Sequence, residues 1–377
     1  MTYVPQALIA PKKYVQGRGL LSSIGEYVAE LGKDALVVAD ETVWQLVGEQ
    51  AERSLPEAGV RLIEETFGGE CSKREIERLR GVAERDGASV IVGVGGGKAM
   101  DTAKAVGHLA GVNWAMVPTI VSTDTPTSAL AVVYTDDGVF EEYMFLPRNP
   151  DLVLVDTQVA ANAPVRFLVA GMGDALATWV EARAAAEARK TAMAGGAPTM
   201  AALALAKLCW DSLFSYGVSA RQAAEQHVVT PAVEKVVEAN TLLSGLGFES
   251  GGLAAAHAVH NGLTALPATH DYMHGDKVNF GTLTQLALEE RPTAEIDDFI
   301  AFCSRVGLPT TLEAVGLGGA DRDDLMTVAK AATLPSETIH NMPFPVDAEI
   351  VCDAMIAADA YGRAFRAAAP AEEYTTS

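Results

Sequence analysis

The stretch SVIVGVGGGKAMDTAKAVGHLA, residues 89–110, decides the fold. Ser89 to Val94 form a short apolar run rich in β-branched residues, Gly95, Gly96 and Gly97 break it, and the residues after Lys98 carry the spacing of a helix. A buried strand that feeds a glycine turn and then a helix is the repeating unit of a parallel α/β sheet. The turn also carries chemistry. Glycines let backbone N–H groups approach a phosphate, and a helix N-terminus adds partial positive charge, so Gly95, Gly96, Gly97 and Lys98 form a candidate diphosphate cradle. Three glycines also suit an ordinary turn. The loop is neither the GxGxxG dinucleotide fingerprint, whose third glycine and later acidic residue are missing, nor a Walker loop. Asp101 and Lys104, one turn apart on the following helix, read as a simple exposed ion pair.

On either side of this unit the same alternation continues. DALVVAD, WQLVGEQAERSLPEAG, VRLIEETF and KREIERLRGVAERDG precede it, and the strand-like runs WAMVPTI, ALAVVYT, EYMFL and DLVLVD follow. Asp40 closes the run ALVVAD, where a carboxylate at the carboxyl end of a parallel strand can accept both hydroxyls of an adenosine ribose; it reads equally as the N-cap of the next helix. From Asn162 onward the alternation stops and long Ala/Leu-rich helical patterns take over. The expected fold is therefore an α/β N-terminal domain with a parallel, Rossmann-like sheet, residues 1–161, followed by an all-α domain, residues 162–377, with a ligand cleft between them.

The chain has 28 basic and 49 acidic residues among 377, a net charge of −21, which argues against nucleic acid or an anionic membrane as partner. No apolar run is long enough to span a bilayer, and the N-terminus lacks the basic-then-apolar order of a signal peptide, so the expected compartment is the cytoplasm. Four scattered cysteines without a CxxC pair indicate neither a zinc ribbon nor a disulfide framework.

Of the seven histidines, His257, His260, His270 and His274 crowd into one short stretch of mostly small and apolar residues. Imidazole is the commonest side-chain metal ligand, and such a stretch has no structural need for four of them. Asp174, in GMGDALATWVEA, reads as opening a helix and as the only carboxylate in an apolar neighbourhood there; a capping role would also explain it. With His257 and His274 it makes a set of three ligands that leaves a fourth tetrahedral position open, as catalytic metals need. His260 shares a helix face with His257 and is the rival ligand. One oxygen and two nitrogens suit Zn²⁺ or Fe²⁺ alike.

Nine segments together carry a resemblance: KYVQG (13–17), FGGECS (67–72), GVGGGKAMDTAKA (93–105), PTIVSTDTPTSALAVVYT (118–135), GMGDALATW (171–179), AEQHVVTPAVE (224–234), GFESGGLAAAHAVHNGLTA (247–265), HGDKVNFGTLTQL (274–286) and ETIHNMP (337–343). On these the chain resembles the iron-containing alcohol dehydrogenase family, of dehydroquinate synthase-like architecture, and within it the zinc-dependent, glycerol-oxidising branch. The resemblance implies NAD-dependent hydride transfer between glycerol, or another vicinal diol such as 1,2-propanediol, and its ketone. It implies Asp174, His257 and His274 as ligands of Zn²⁺, with Fe²⁺ the lesser alternative, and so favours His257 over His260. It places Asp40, Gly95, Gly96, Gly97, Lys98 and Asp101 at the NAD diphosphate and ribose, Thr119, Ser122, Ser128, Leu130 and Tyr134 along the rest of the cofactor, Asp124 beside the substrate and Phe248 on its apolar wall. A homo-oligomer, commonly an octamer, is implied as well. Two departures stand out. The wider iron-dependent members carry a further histidine where this chain has Thr178, and the usual Ala-Pro-Cys after the pocket aspartate is here Thr125-Pro126-Thr127, a change that bears on pocket polarity. A glycerol-phosphate dehydrogenase would want a basic cluster at the substrate end, where residues 248–280 offer only Lys277, and a structural metal site would normally fill all four positions with protein ligands.

Overall fold

A computed structural model of the chain describes residues 4–368. In chain order its strands are β1 (Gln6–Ala7), β2 (Tyr14–Gly17), β3 (Asp34–Ala39), β4 (Arg61–Thr66), β5 (Val90–Gly95), β6 (Asn113–Pro118), β7 (Leu130–Tyr134), β8 (Phe140–Phe145), β9 (Leu152–Asp156) and β10 (Ala197–Pro198). The helices are α1 (Ile24–Val28), α2 (Glu41–Glu57), α3 (Lys73–Asp86), α4 (Gly97–Ala110), α5 (Thr157–Asn162), α6 (Val165–Glu187), α7 (Met200–Ala224), α8 (Pro231–Glu238), α9 (Ser244–Gly251), α10 (Ala255–Leu263), α11 (His274–Leu288), α12 (Thr293–Val306), α13 (Arg322–Ala332) and α14 (Ala348–Ala368). Among the described residues no helix is long and apolar enough to cross a membrane.

Six strands form one parallel sheet in the order β2-β9-β6-β5-β3-β4. Both faces are covered, which is why its strands read as continuous apolar runs. Val90, Val92 and Val94 join Val37, Ala115, Leu152 and Leu154 under α1 and α2, whereas Ile91 joins Leu36, Met116 and Val153 on the opposite face. The chain passes from β3 outward to β4 and returns to pair β5 on the other side of β3, so the direction of winding reverses between β3 and β5. Open α/β sheets bind ligands outside the carboxyl ends of the strands at such a reversal.

The runs ALAVVYT and EYMFL are strands, as expected, but they leave the sheet. β7 and β8 pair antiparallel as a separate hairpin, since the 3₁₀ turn Thr125–Thr127 redirects the chain before β7 begins. The helical part is also not wholly helical, because β10 pairs β1 and so ties the first strand to the second half of the chain.

The helices after α5 pack around α6, which touches α7, α9 and α11. The crossing of α6 and α11 is a contact of backbone on backbone. A Cβ at Gly275 would lie 1.8 Å from the Ala170 carbonyl oxygen, and one at Gly173 would lie 2.4 Å from that of Gly275. Only glycine allows this approach, and it sets the start of α11 against the middle of α6. Gly275→Ala is expected to cost about 3 kcal/mol, the upper end of the usual penalty for overpacking. Urea unfolding checks this, and wild-type stability would show that the crossing is looser than described.

Candidate active site

The carboxyl ends of β3, β5 and β6 lie side by side and present three of the expected cofactor segments. After β5, Gly95 takes φ +145°, a conformation that side chains disfavour, and its carbonyl accepts the Thr119 N–H at 3.1 Å. Gly96 is the N-cap of α4 and offers no side chain to its first amides, which leaves these N–H groups uncapped at the carboxyl end of β5. Asp40 caps α2, accepting the Val43 N–H at 2.8 Å through Oδ1. Lys98 is half-exposed, paired with Glu70 at 2.6 Å and 5.3 Å from the centre of the Tyr134 ring.

Asp101 and Lys104 are not an exposed pair. The Lys104 side chain is fully buried and its ammonium lies 2.8 Å from Asp101. It also donates to the carbonyls of Thr125 (3.0 Å) and Leu130 and to the Ser128 hydroxyl (3.2 Å). Asp101 in turn accepts the Val132 N–H at 3.1 Å. The pair is buried because the loop from Asp124 to β7 folds over α4, so that its carbonyls and amide replace water around both charges. Ser122, two residues before this loop, is half-buried, and Ser128 and Thr119 are buried.

Asp174 does not open a helix. α6 starts at Val165, and the carboxylate sits in its interior, 2 % exposed and unable to cap anything. His274 Nε2 lies 3.1 Å from Asp174 Oδ1 and His257 Nε2 lies 3.3 Å from the same atom. One ligand atom from each residue falls within 4.8 Å of the others. Asp174 Oδ2 is buried without any hydrogen-bond partner, an arrangement that costs free energy unless a cation or another group completes it. These donors could hold a divalent metal ion. His260 does not join them. Its Nε2 lies 3.0 Å from His274 Nδ1 and its Nδ1 lies 3.0 Å from Asn261 Oδ1, so it stands behind His274. Burial, with the charges of His274 and His257, pushes His260 well below the ordinary imidazole range and keeps it neutral.

Asp174 is not the only carboxylate here. Glu181, seven residues on and therefore on the same face of α6, is fully buried. Its Oε1 accepts the N–H groups of Ala254 (2.8 Å) and His257 (2.9 Å), and its Oε2 lies 2.6 Å from His257 Nδ1. Gln285 Oε1 accepts the N–H groups of Ala255 and Ala256 at 2.9 and 3.0 Å. A helix whose own N-cap, Ala254, has no side-chain acceptor is thus capped by α6 and α11. Burial alone would lower the pKa of His257, but Glu181 and Asp174 outweigh it and hold the group well above its ordinary value.

Asp124 is held through the hydroxyls of two other residues. Ser244 donates to its Oδ2 at 2.6 Å, and Thr178 lies 2.9 Å from Ser244 Oγ. Burial and the negative charge of Asp174 raise the Asp124 pKa well above the usual carboxylate range, whereas the charges of His274 and His257 overcome burial and lower that of Asp174. Two neighbouring acids pushed in opposite directions are what an acid and an anion with separate duties require. The departure Thr125-Pro126-Thr127 adds little free polarity, since Thr127 donates to the Thr241 carbonyl at 3.0 Å and Thr125 Oγ1 lies 3.0 Å from Thr123 Oγ1. Phe248 is buried one turn beyond Ser244 on α9.

The sequence model described as iron-containing alcohol dehydrogenase matches residues 11–157. A glycerol dehydrogenase of Escherichia coli O6:H1 is 53% identical over 94% of this chain and 97% of its own length. A glycolaldehyde reductase of Halobacterium salinarum is 50% identical over 95% of this chain and 98% of its own. This chain belongs to the iron-containing alcohol dehydrogenase family. The crystal structure of glycerol dehydrogenase from Schizosaccharomyces pombe, 42% identical, superposes with a TM-score of 0.94 over 97% of this chain and 93% of that one. The fold of this family member is accordingly an α/β parallel-sheet region followed by a helical part, and the chain is an oxidoreductase.

Reasoning from the sequence missed Glu181, Ser244 and the buried role of Lys104. Glu181 carried a usable signal, an acid two turns after Asp174 in an alanine-rich helix, and Ser244 carried none. One further buried acid has a measurable consequence. Burial raises the Glu249 pKa to about 7 from 4.5, against hydrogen bonds from the Ala129 N–H and the Asn149 side chain. The folded state then keeps a proton that the unfolded chain has released, so this contribution to stability is full below pH 4.5 and is lost as the pH rises through about 7. The loss is about 3 kcal/mol at most. Urea unfolding at pH 5 and pH 8 should show the wild type losing more stability over that interval than Glu249→Gln, whatever the variant's baseline. Equal losses would contradict the assignment.

Proposed function

We propose that the protein oxidises glycerol reversibly to dihydroxyacetone with NAD⁺, at a divalent metal held by Asp174, His257 and His274, and that zinc is the resident ion. The observation that carries this reading is Asp174, buried, with two histidine nitrogens at its Oδ1 and its Oδ2 left without a partner, in a chain half identical to a glycerol dehydrogenase along nearly its whole length. The reading divides the chain at residues 161 and 162 into a cofactor domain and a metal and substrate domain. It assigns the enzyme to the cytoplasm as a homo-oligomer.

Bound at these donors, the metal supplies a Lewis acid that makes a nearby hydroxyl easier to deprotonate, and NAD⁺ supplies the hydride acceptor. The protein residues do the rest. The amides at the start of α4, with Gly95, Gly96, Gly97 and Lys98, hold the diphosphate, and Asp40 takes the ribose hydroxyls through the oxygen its helix leaves free. Asp101 and Lys104 set the loop that carries Ser128 and Leu130, which with Thr119, Ser122 and Tyr134 flank the remainder of the cofactor. Ser244 occupies one oxygen of Asp124 and leaves the other for the neighbouring hydroxyl of a diol. That contact favours 1,2-diols over simple alcohols, and Phe248 closes the apolar side.

NADH formation with glycerol, 1,2-propanediol and ethanol in parallel, before and after chelation and zinc add-back, tests the reading. Diols are expected to react and ethanol not, with activity lost on chelation and restored by zinc. Activity that ignores the chelator or prefers ethanol would overturn it. Asp124→Asn is expected to raise KM for glycerol about tenfold while leaving KM for NAD⁺ nearly unchanged, the loss of about 1.4 kcal/mol that one hydrogen bond provides. Equal effects on both constants would remove Asp124 from the substrate site.

A further inference from the structure

Glu181 divides its two oxygens between two tasks. Oε1 accepts two backbone N–H groups at the start of α10, at 2.8 and 2.9 Å, and this alone would make it a helix cap supplied by another helix. Oε2 is spent differently, on a single short contact of 2.6 Å with His257 Nδ1. A carboxylate has no proton to give, so Nδ1 is the donor, and a proton fixed on Nδ1 leaves Nε2 as the nitrogen whose lone pair can be used. Nε2 is also the atom turned toward Asp174. Turning the ring over would break the Nδ1 bond, and the carboxylate is itself held in place by the backbone N–H of His257.

His274 is held otherwise. Its Nδ1 meets the neutral ring of His260, which passes the hydrogen bond on to Asn261 and thence to Glu337, at 2.9 Å. The two histidines of the cluster therefore present the same nitrogen to Asp174 but differ in what stands behind them, a carboxylate for one and an uncharged imidazole for the other.

We infer that Glu181 is a positioning residue for the metal site, which fixes the tautomer and orientation of His257 and so sets how tightly the metal is held. This rests on the ligand set of the proposed function. The carboxylate does not touch substrate, cofactor or metal. It acts through His257, whose ligand nitrogen it makes available and more basic.

Glu181→Gln separates the two tasks, because the side chain keeps its shape. With the amide oxygen left at the Oε1 position the cap on α10 survives, but the NH₂ group then faces Nδ1 as a second donor and forces the proton onto Nε2, the tautomer that cannot bind a metal. Metal-stripped wild type and variant are titrated with Zn²⁺ against a competing chelator at one pH. NAD⁺ affinity and the unfolding midpoint are measured on the same metal-free samples, and the visible spectrum is recorded after Co²⁺ loading. The expected result is a loss of about 10- to 100-fold in Zn²⁺ affinity and an altered Co²⁺ spectrum, with NAD⁺ affinity unchanged and partial recovery in Glu181→Asp, which restores the charge. Wild-type Zn²⁺ affinity in Glu181→Gln, whatever its folding stability, overturns the inference. His257→Ala tells the two levels apart. If it loses the metal while Glu181→Gln keeps it, the ligand set stands and only the role of Glu181 falls; if His257→Ala keeps the metal, the ligand set falls and the inference with it.

Discussion

The close crossing of α6 and α11 is the contact on which the site depends. Glycines at 173 and 275 let the two backbones approach to a distance no side chain would permit, and the residues beside those glycines are Asp174 and His274. Polar groups are thereby gathered in the interior of a helical body, where each one has to be satisfied. Glu181 and Gln285 answer the exposed amides of α10, His260 backs His274, and Ser244 backs Asp124. Asp174 Oδ2 is the atom this network leaves over. Two imidazole nitrogens meet the other oxygen of the same carboxylate, a donor set that could hold a cation.

The second constraint is the loop between β6 and β7, which has to serve both halves of the chain. On the sheet side Lys104 gathers its carbonyls, and on the helical side Asn240, in the π-helical turn Ala239–Leu243, donates to the carbonyls of Val121 and Leu168 at 3.1 and 3.0 Å. Glu249 adds a third tie at Ala129 and, through Asn149, at the Thr127 carbonyl. Asp124 lies between these anchors. Its place relative to both the glycine turn and the Asp174 cluster is fixed by buried charges and amides rather than by apolar packing, and hydride transfer demands such control, since the two reacting carbons must be held within contact of each other.

Much of this was legible in the sequence. The run at 89–98 marked a buried strand and a glycine turn because period and composition are local properties, and the histidine cluster was visible because imidazoles seldom crowd an alanine-rich helix without cause. What escaped was whatever depends on the partner across space. The runs at 130–134 and 140–145 were plainly strands, but nothing local says that they pair with each other instead of joining the sheet. Asp101 and Lys104 have the spacing of a solvated pair, and only the loop folded above them turns it into a buried one. His257 and His260 are equivalent by helical spacing. What tells them apart is their partners across space, since Glu181 bonds the His257 ring that faces Asp174, while His260 bonds His274.

The most direct test of the account is anomalous diffraction at the zinc edge from crystals of the zinc-loaded protein. The account predicts one peak about 2 Å from a carboxylate oxygen of Asp174 and from Nε2 of both His257 and His274, with Glu181 still bonded to His257 Nδ1. A peak ligated by His260, or one that lies away from Asp174, would contradict it.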